Sequence, residues 1–139
     1  MVHIDCFFGF NSLVHMKYFL FLGIFLNLVS CNKDKVDSFK PIDNGIYSGI
    51  FERDSYQANV TLTFNDSLFQ GSSNVSRFPA ICQGVFKQST KTIDFANKCV
   101  WTADFDWTLI MSGTFEYSYD GTNLTFWKDR ETYKLTKQK

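Results

Sequence analysis

Histidine, proline, charge of one sign and long apolar runs are all scarce in this sequence. Of 139 residues, two are histidine (His3 and His15) and two are proline. Both histidines precede residue 16, so the chain beyond that point has no imidazole. That excludes Ser-His-Asp and Cys-His nucleophilic catalysis and removes the usual nitrogen ligands of zinc. Fourteen basic residues balance fourteen acidic ones. A balanced chain argues against nucleic-acid binding, which usually needs a basic patch, and against a polybasic surface for anionic lipid. The apolar run Tyr18–Val29 is shorter than the roughly 20 residues of a membrane-spanning helix.

That run has the length of a secretory h-region, about 7–15 residues behind a positive charge, and Lys17 supplies the charge. It ends in Leu28-Val29-Ser30-Cys31, which resembles the lipobox of bacterial lipoproteins. The resemblance implies that Cys31 takes a diacylglyceryl group on its thiol and that the chain is cut just before it. An ordinary secretory signal with a chance cysteine is the other reading; the place of the motif, closing an h-region that opens with Met16-Lys17, favours the lipobox. Residues 1–15 carry Asp5 and an apolar Cys6-Phe7-Phe8, unlike a short basic n-region, and read as a misassigned upstream extension. The expected organisation is therefore 1–15 extension, 16–30 signal peptide, 31–44 polar tether and 45–139 domain. Asn32 stands where an aspartate would resemble an inner-membrane retention signal, so the expectation is a lipid-anchored envelope protein sorted to the outer membrane. The lipid chains suffice for attachment.

Two cysteines then remain, Cys82 and Cys99. In an exported chain they read as one disulfide, against the alternative of two buried thiols. A hairpin over Val85–Phe95 turning at Ser89-Thr90 pairs Gln88 with Lys91 and puts Cys82 opposite Asn97, with Cys99 in the diagonal position. Diagonal neighbours are about 7–8 Å apart, beyond the roughly 4.4–6.8 Å a disulfide spans, so in this register a bulge near Asn97-Lys98 or the hairpin's own twist has to close the gap.

From Gly45 onward the pattern has period two. Val60, Leu62 and Phe64 alternate with Thr61 and Thr63. Ala103, Phe105, Trp107 and Leu109 alternate with Asp104, Asp106 and Thr108. Phe115, Tyr117 and Tyr119 alternate with Glu116 and Ser118. Such alternation with aromatic and β-branched residues predicts strands. Turn residues separate them at Asn65-Asp66-Ser67, Asp120-Gly121 and Asp129-Arg130. A faint repeat opens three strands with Gly-x-aromatic, at Gly45, Gly84 and Gly113, each followed after a turn by an apolar-x-apolar strand. Such a chain can avoid exposed edges as a barrel or as a sandwich; the meandering hairpins favour the barrel, and the expected fold is all-β, an antiparallel meander barrel of about eight strands. On these hairpins and the aromatic stretch Trp101–Trp107, the chain resembles the small lipocalin-like domains of Gram-negative lipoproteins whose functions are uncharacterised. The resemblance implies fold more than activity; separately, the expectation is no cofactor, no metal and a monomer. The leading functional expectation is a small apolar or sugar-like ligand held at the barrel mouth. The alternative is an interaction or inhibitor protein using its outer surface, as lysozyme-inhibitor lipoproteins do. A cavity of a few hundred Å³ inside the barrel would favour the first, and a filled interior the second.

The densest chemistry lies in Trp101–Trp107. On a strand, Trp101, Ala103, Phe105 and Trp107 share one face, and Thr102, Asp104 and Asp106 the other. This reads either as an aromatic platform for a sugar or apolar ligand, with two aspartates holding hydroxyls or calcium, or as core aromatics with solvated acids. Asp104 and Asp106 could also suggest glycoside hydrolysis, but no apolar pocket to raise one pKa is indicated, and the expectation is a non-enzyme. Arg77-Phe78-Pro79-Ala80 reads as a crossing loop, or as a lid with Phe78 reaching inward. Asp66-Ser67-Leu68 is similar to the acceptor of periplasmic O-glycosylation, with Ser67 as the modified residue. The Asn-x-Ser/Thr triplets at Asn59, Asn65, Asn74 and Asn123 read as chance in a bacterial chain.

Overall fold

A computed structural model describes residues 39–139. Eight strands form a closed antiparallel barrel in sequence order: β1 (Gly45–Arg53), β2 (Tyr56–Asn65), β3 (Leu68–Ser73), β4 (Gln83–Gln88), β5 (Thr92–Asn97), β6 (Gly113–Tyr119), β7 (Asn123–Lys128) and β8 (Glu131–Lys137). β8 closes on β1, with Phe51 opposite Tyr133, so the sheet has no free edge to template aggregation. The expected all-β meander is the observed one. Among the described residues no helix is long and apolar enough to cross a membrane.

Alternation decides what fills the barrel. On β2, Ala58, Val60, Leu62 and Phe64 point inward, while Thr61 and Thr63 lie on the outer face. The interior holds the rings of Tyr47, Phe51, Phe64, Phe95, Phe115, Phe126 and Tyr133, each under 2% exposed. They pack edge-on or stacked, as in Phe126–Tyr133 at 4.4 Å and Phe69–Phe95 at 5.1 Å. Eight strands enclose just enough width for side chains, and here the side chains are large. The interior is a core packed with aromatic rings.

Both ends are closed. At the end where the chain enters, hereafter proximal, Ile42 is buried in the core. The Gln88 amide brackets this segment, accepting from the Ile42 N–H (2.9 Å) and donating to the Lys40 carbonyl (3.0 Å). Residues 40–44, read from sequence as the end of a tether, are thus docked on the barrel. At the opposite, distal end, the loop 74–82 folds across the opening. Phe78 reaches inward onto Phe51, ring centres 5.1 Å apart. The Ala80 N–H donates to the Leu109 carbonyl (2.9 Å), and the Met111 N–H to that of Ala80 (3.2 Å).

Three two-residue turns, led by Asp54, Asp66 and Asp129, carry a positive φ at the aspartate (52–55°), which Asp tolerates better than most side chains. Gly84, the second residue of β4, has to be small because a Cβ there would collide with the Ala96 carbonyl of β5. Gly113 has φ +92°, a conformation that only glycine adopts readily.

Two expectations are corrected. The β4–β5 hairpin pairs Gln88 with Ile93, two residues further along than Ser89-Thr90 as the turn would give. Ser89 caps the actual turn: its N–H donates to the Thr92 carbonyl (2.8 Å) and its hydroxyl accepts from the Thr92 N–H (3.1 Å). In this register Cys82 falls directly opposite Cys99. Their Cα atoms are 6.3 Å apart and the disulfide is formed, with no bulge required. The second correction concerns Ala103–Leu109, which is not a strand. Residues 98–112 form a long loop with one 3₁₀ turn at Trp107–Leu109. Asp106 explains that departure: its carboxylate accepts from the Thr108 N–H (2.9 Å) and hydroxyl (2.6 Å), starting a helical turn where period-two spacing points to a strand.

Candidate functional site

The distal end gathers the β1–β2 turn, the loops 74–82 and 98–112 and the β7–β8 turn. Between the second loop and the β7–β8 turn lies an open cleft of about 800 Å³. Trp101, Trp107 and Val100 supply its apolar wall, Asn97 and Ser112 its polar side, and Arg53, Lys128, Arg130 and Glu131 its charges.

Arg53, the last residue of β1, organises this surface. One guanidinium nitrogen donates to the Thr108 hydroxyl (2.9 Å) and faces the Asp106 carboxylate (3.3 Å); another faces Glu131 (3.4 Å). It ties the Trp107 turn to the barrel wall. Hydrogen bonds from Thr108, and then the Arg53 charge, hold the Asp106 carboxyl below its usual range. Glu131 is 5% exposed, and burial raises its pKa against the pull of Arg53. Lys128 donates to the Ser112 carbonyl (3.2 Å) and lies over the Phe115 ring.

Asn97 sits beside the disulfide at the end of β5. Its Oδ1 accepts from the Cys99 N–H (2.7 Å) and from the Trp101 indole N–H (3.3 Å). Two donors on one oxygen fix the orientation of the amide. Its Nδ2 is buried and has no hydrogen-bond partner among the described residues.

The residues singled out from sequence are only partly brought together. Trp101 and Trp107 line the cleft. Phe105 packs edge-on against Trp101 (5.6 Å) and lies under the Arg77 guanidinium (5.2 Å), and is not part of the lining. Asp104 and Asp106 do not share a face. Asp104 pairs with Arg77 (2.6 Å), which together with the Thr102 hydroxyl lowers its pKa to about 2, whereas Asp106 turns to Arg53. This separation follows from the loop that replaces the expected strand. Phe78 belongs to the core lid. Ser67 is exposed in the β2–β3 turn at the proximal end. Cys31 lies outside the described residues. Among the described residues, no three His, Cys, Asp or Glu side chains meet as a metal site.

Sequence reasoning missed Arg53, Asn97, Lys128, Arg130 and Glu131. Lys128-Asp129-Arg130-Glu131 is legible as a charged turn, but nothing local shows that it faces the tryptophan loop. Asn97 carries no sequence signal at all.

Comparison with known protein families, with curated proteins and with solved structures finds no match to this chain.

Proposed function

We propose that this is a lipid-anchored envelope protein that binds its ligand outside a filled barrel, in the distal cleft. One observation carries the reading: the interior is packed with rings, while an open cleft of about 800 Å³ lies at the end opposite the point where the chain enters. A lipocalin-like module holding its ligand within the strands needs an internal chamber, and aromatic side chains occupy that space. A volume of about 800 Å³ falls within the roughly 300–1,000 Å³ of small-molecule sites.

A second reading is a protein contact at the same end. Tyr56, Val75, Val100 and Trp107 are all exposed there, Val100 at 98%, and protruding aromatic residues beside arginine are typical of interface anchors.

Two experiments test the proposal. Cys31→Ser should abolish fatty-acid labelling and release the protein or leave its precursor uncut; label that persists in the variant overturns the anchor. A photo-crosslinking residue at Val100 should capture the ligand or partner in living cells, whereas one at Leu68, exposed at the other end, should not. Capture only from Leu68 would move the working surface to the proximal end.

A further inference from the structure

We infer that the distal cleft is a binding site for a neutral saccharide, stacked on Trp107 and Trp101 and hydrogen-bonded to Asn97 and to the Arg53–Glu131 pair. This inference rests on the cleft being the binding site and adds the chemical class of its occupant.

Charge balance is the first ground. The lining cations are Arg53, Lys128 and Arg130; the anions are Asp129 and Glu131, with Asp106 beside Arg53. Arg53 already faces Asp106 and Glu131, and Arg130 faces Asp54 (3.3 Å). A free anion gains little from cations that are already engaged and is repelled by Glu131. A free cation meets the opposite obstacle. A fully apolar ligand would strip water from the Arg53–Glu131 pair and return nothing to it. A polyol suits the same pair, because each hydroxyl both donates and accepts: it can accept from the guanidinium while donating to the carboxylate.

The second ground is the indoles. Trp107 is 56% exposed on a turn pinned by Arg53, and Trp101 is held through its N–H by Asn97. A ring fixed at its polar end, as Trp101 is, and a ring set outward on an anchored turn, as Trp107 is, leave apolar faces for the C–H surface of a sugar.

The third ground is Asn97. Its oxygen is used twice and its Nδ2 not at all, although the residue lines the cleft. A buried amide donor without an acceptor is rare and unfavourable, and a ligand hydroxyl or ring oxygen supplies the acceptor. Because Nδ2 is covered, the ligand reaches it only by shifting what covers it. Trp101, bonded to the same amide, should report that shift.

The test uses the full chain in a zwitterionic detergent micelle; maltoside detergents are avoided because their headgroups are saccharides. Chitotriose, cellotriose and maltotriose are titrated at up to millimolar concentration, alongside palmitate and inorganic phosphate, while indole N–H resonances and tryptophan emission are recorded. At least one trisaccharide should move the Trp101 and Trp107 signals saturably. Trp107→Ala should weaken it about tenfold. Asn97→Asp keeps an oxygen for Cys99 and Trp101 but replaces the donor by an acceptor, and should weaken it by roughly tenfold. A response to palmitate or phosphate alone overturns the saccharide class and leaves the cleft as the site. Silence towards all three trisaccharides overturns the inference, and crosslinking at Val100 then still reports separately on the cleft. Binding that survives both substitutions places the saccharide elsewhere and also refutes it.

Discussion

Two buried tyrosines should respond in opposite directions to loss of the same hydroxyl. Tyr133 is fully buried, stacked on Phe126 and tilted against Phe51 at 4.8 Å, and its hydroxyl has no hydrogen-bond partner among the described residues. Burial, and then the nearby Glu131 charge, push its pKa well above that of free tyrosine. An unsatisfied buried hydroxyl costs about 1–3 kcal/mol. Tyr133→Phe removes that cost and leaves an oxygen-sized void of roughly 10–15 Å³, worth only about 0.3 kcal/mol at about 24 cal/mol per Å³. The net expectation is a gain of about 1–2 kcal/mol, or roughly 5–10 °C in Tm for a domain of this size. Tyr47 is equally buried, but its hydroxyl donates to the Asp43 carbonyl (2.9 Å) and lies 3.0 Å from that of Tyr119. Tyr47→Phe should therefore lose about 1–2 kcal/mol. Urea unfolding of both variants, with m unchanged, gives the comparison. If Tyr133→Phe is destabilised by 1 kcal/mol or more, its hydroxyl has a partner, such as a bridging water, and the reasoning fails.

Other perturbations follow from the same contacts. Cys82→Ser/Cys99→Ser opens a bond of sequence separation 17 and should cost about 3 kcal/mol by chain entropy; an unchanged Tm, or two titratable thiols in the unfolded non-reduced protein, would contradict the disulfide. Phe78→Ala should cost about 2–3 kcal/mol by uncapping Phe51, read by calorimetry, and a loss under 1 kcal/mol would show that the lid carries little of the core. Acid titration should lower stability as the pH falls from about 4 towards 2. Asp43, Asp104, Asp106 and Asp120 all have carboxyl pKa values held below the usual 3.8, two of them near 2, so the unfolded chain takes up protons first. Glu131 acts oppositely, since burial raises its pKa: its ionisation disfavours the fold as the pH rises past 4.5. Glu131→Gln should therefore remove a stability loss above that pH, and denaturant melts at pH 4 and 7 would reveal it.

What the sequence determined by itself was local and periodic. Alternation in Val60–Phe64 and Phe115–Tyr119, the three Gly-x-aromatic openings and the aspartate-led turns specify strands and hairpins, because the two faces of a strand differ by one residue and the turns set where each strand reverses. A meander of that many hairpins favours a barrel over a sandwich, and the pairing of β8 with β1 makes it one. The Cys82–Cys99 pair was legible from parity, which survives a register shift of two; the register was not, because the Ser89 cap that sets the turn is a tertiary choice among several polar residues. Only the folded structure decided the site. Asp106 prefers to cap a 3₁₀ turn anchored by Arg53, more than fifty residues away, and that one contact breaks the expected strand, parts Asp104 from Asp106 and turns Trp107 outward. Whether the interior is open or filled was likewise beyond the sequence. The same alternating aromatics could line a chamber or occupy it, and the outcome depends on how rings from eight strands meet across a shared axis.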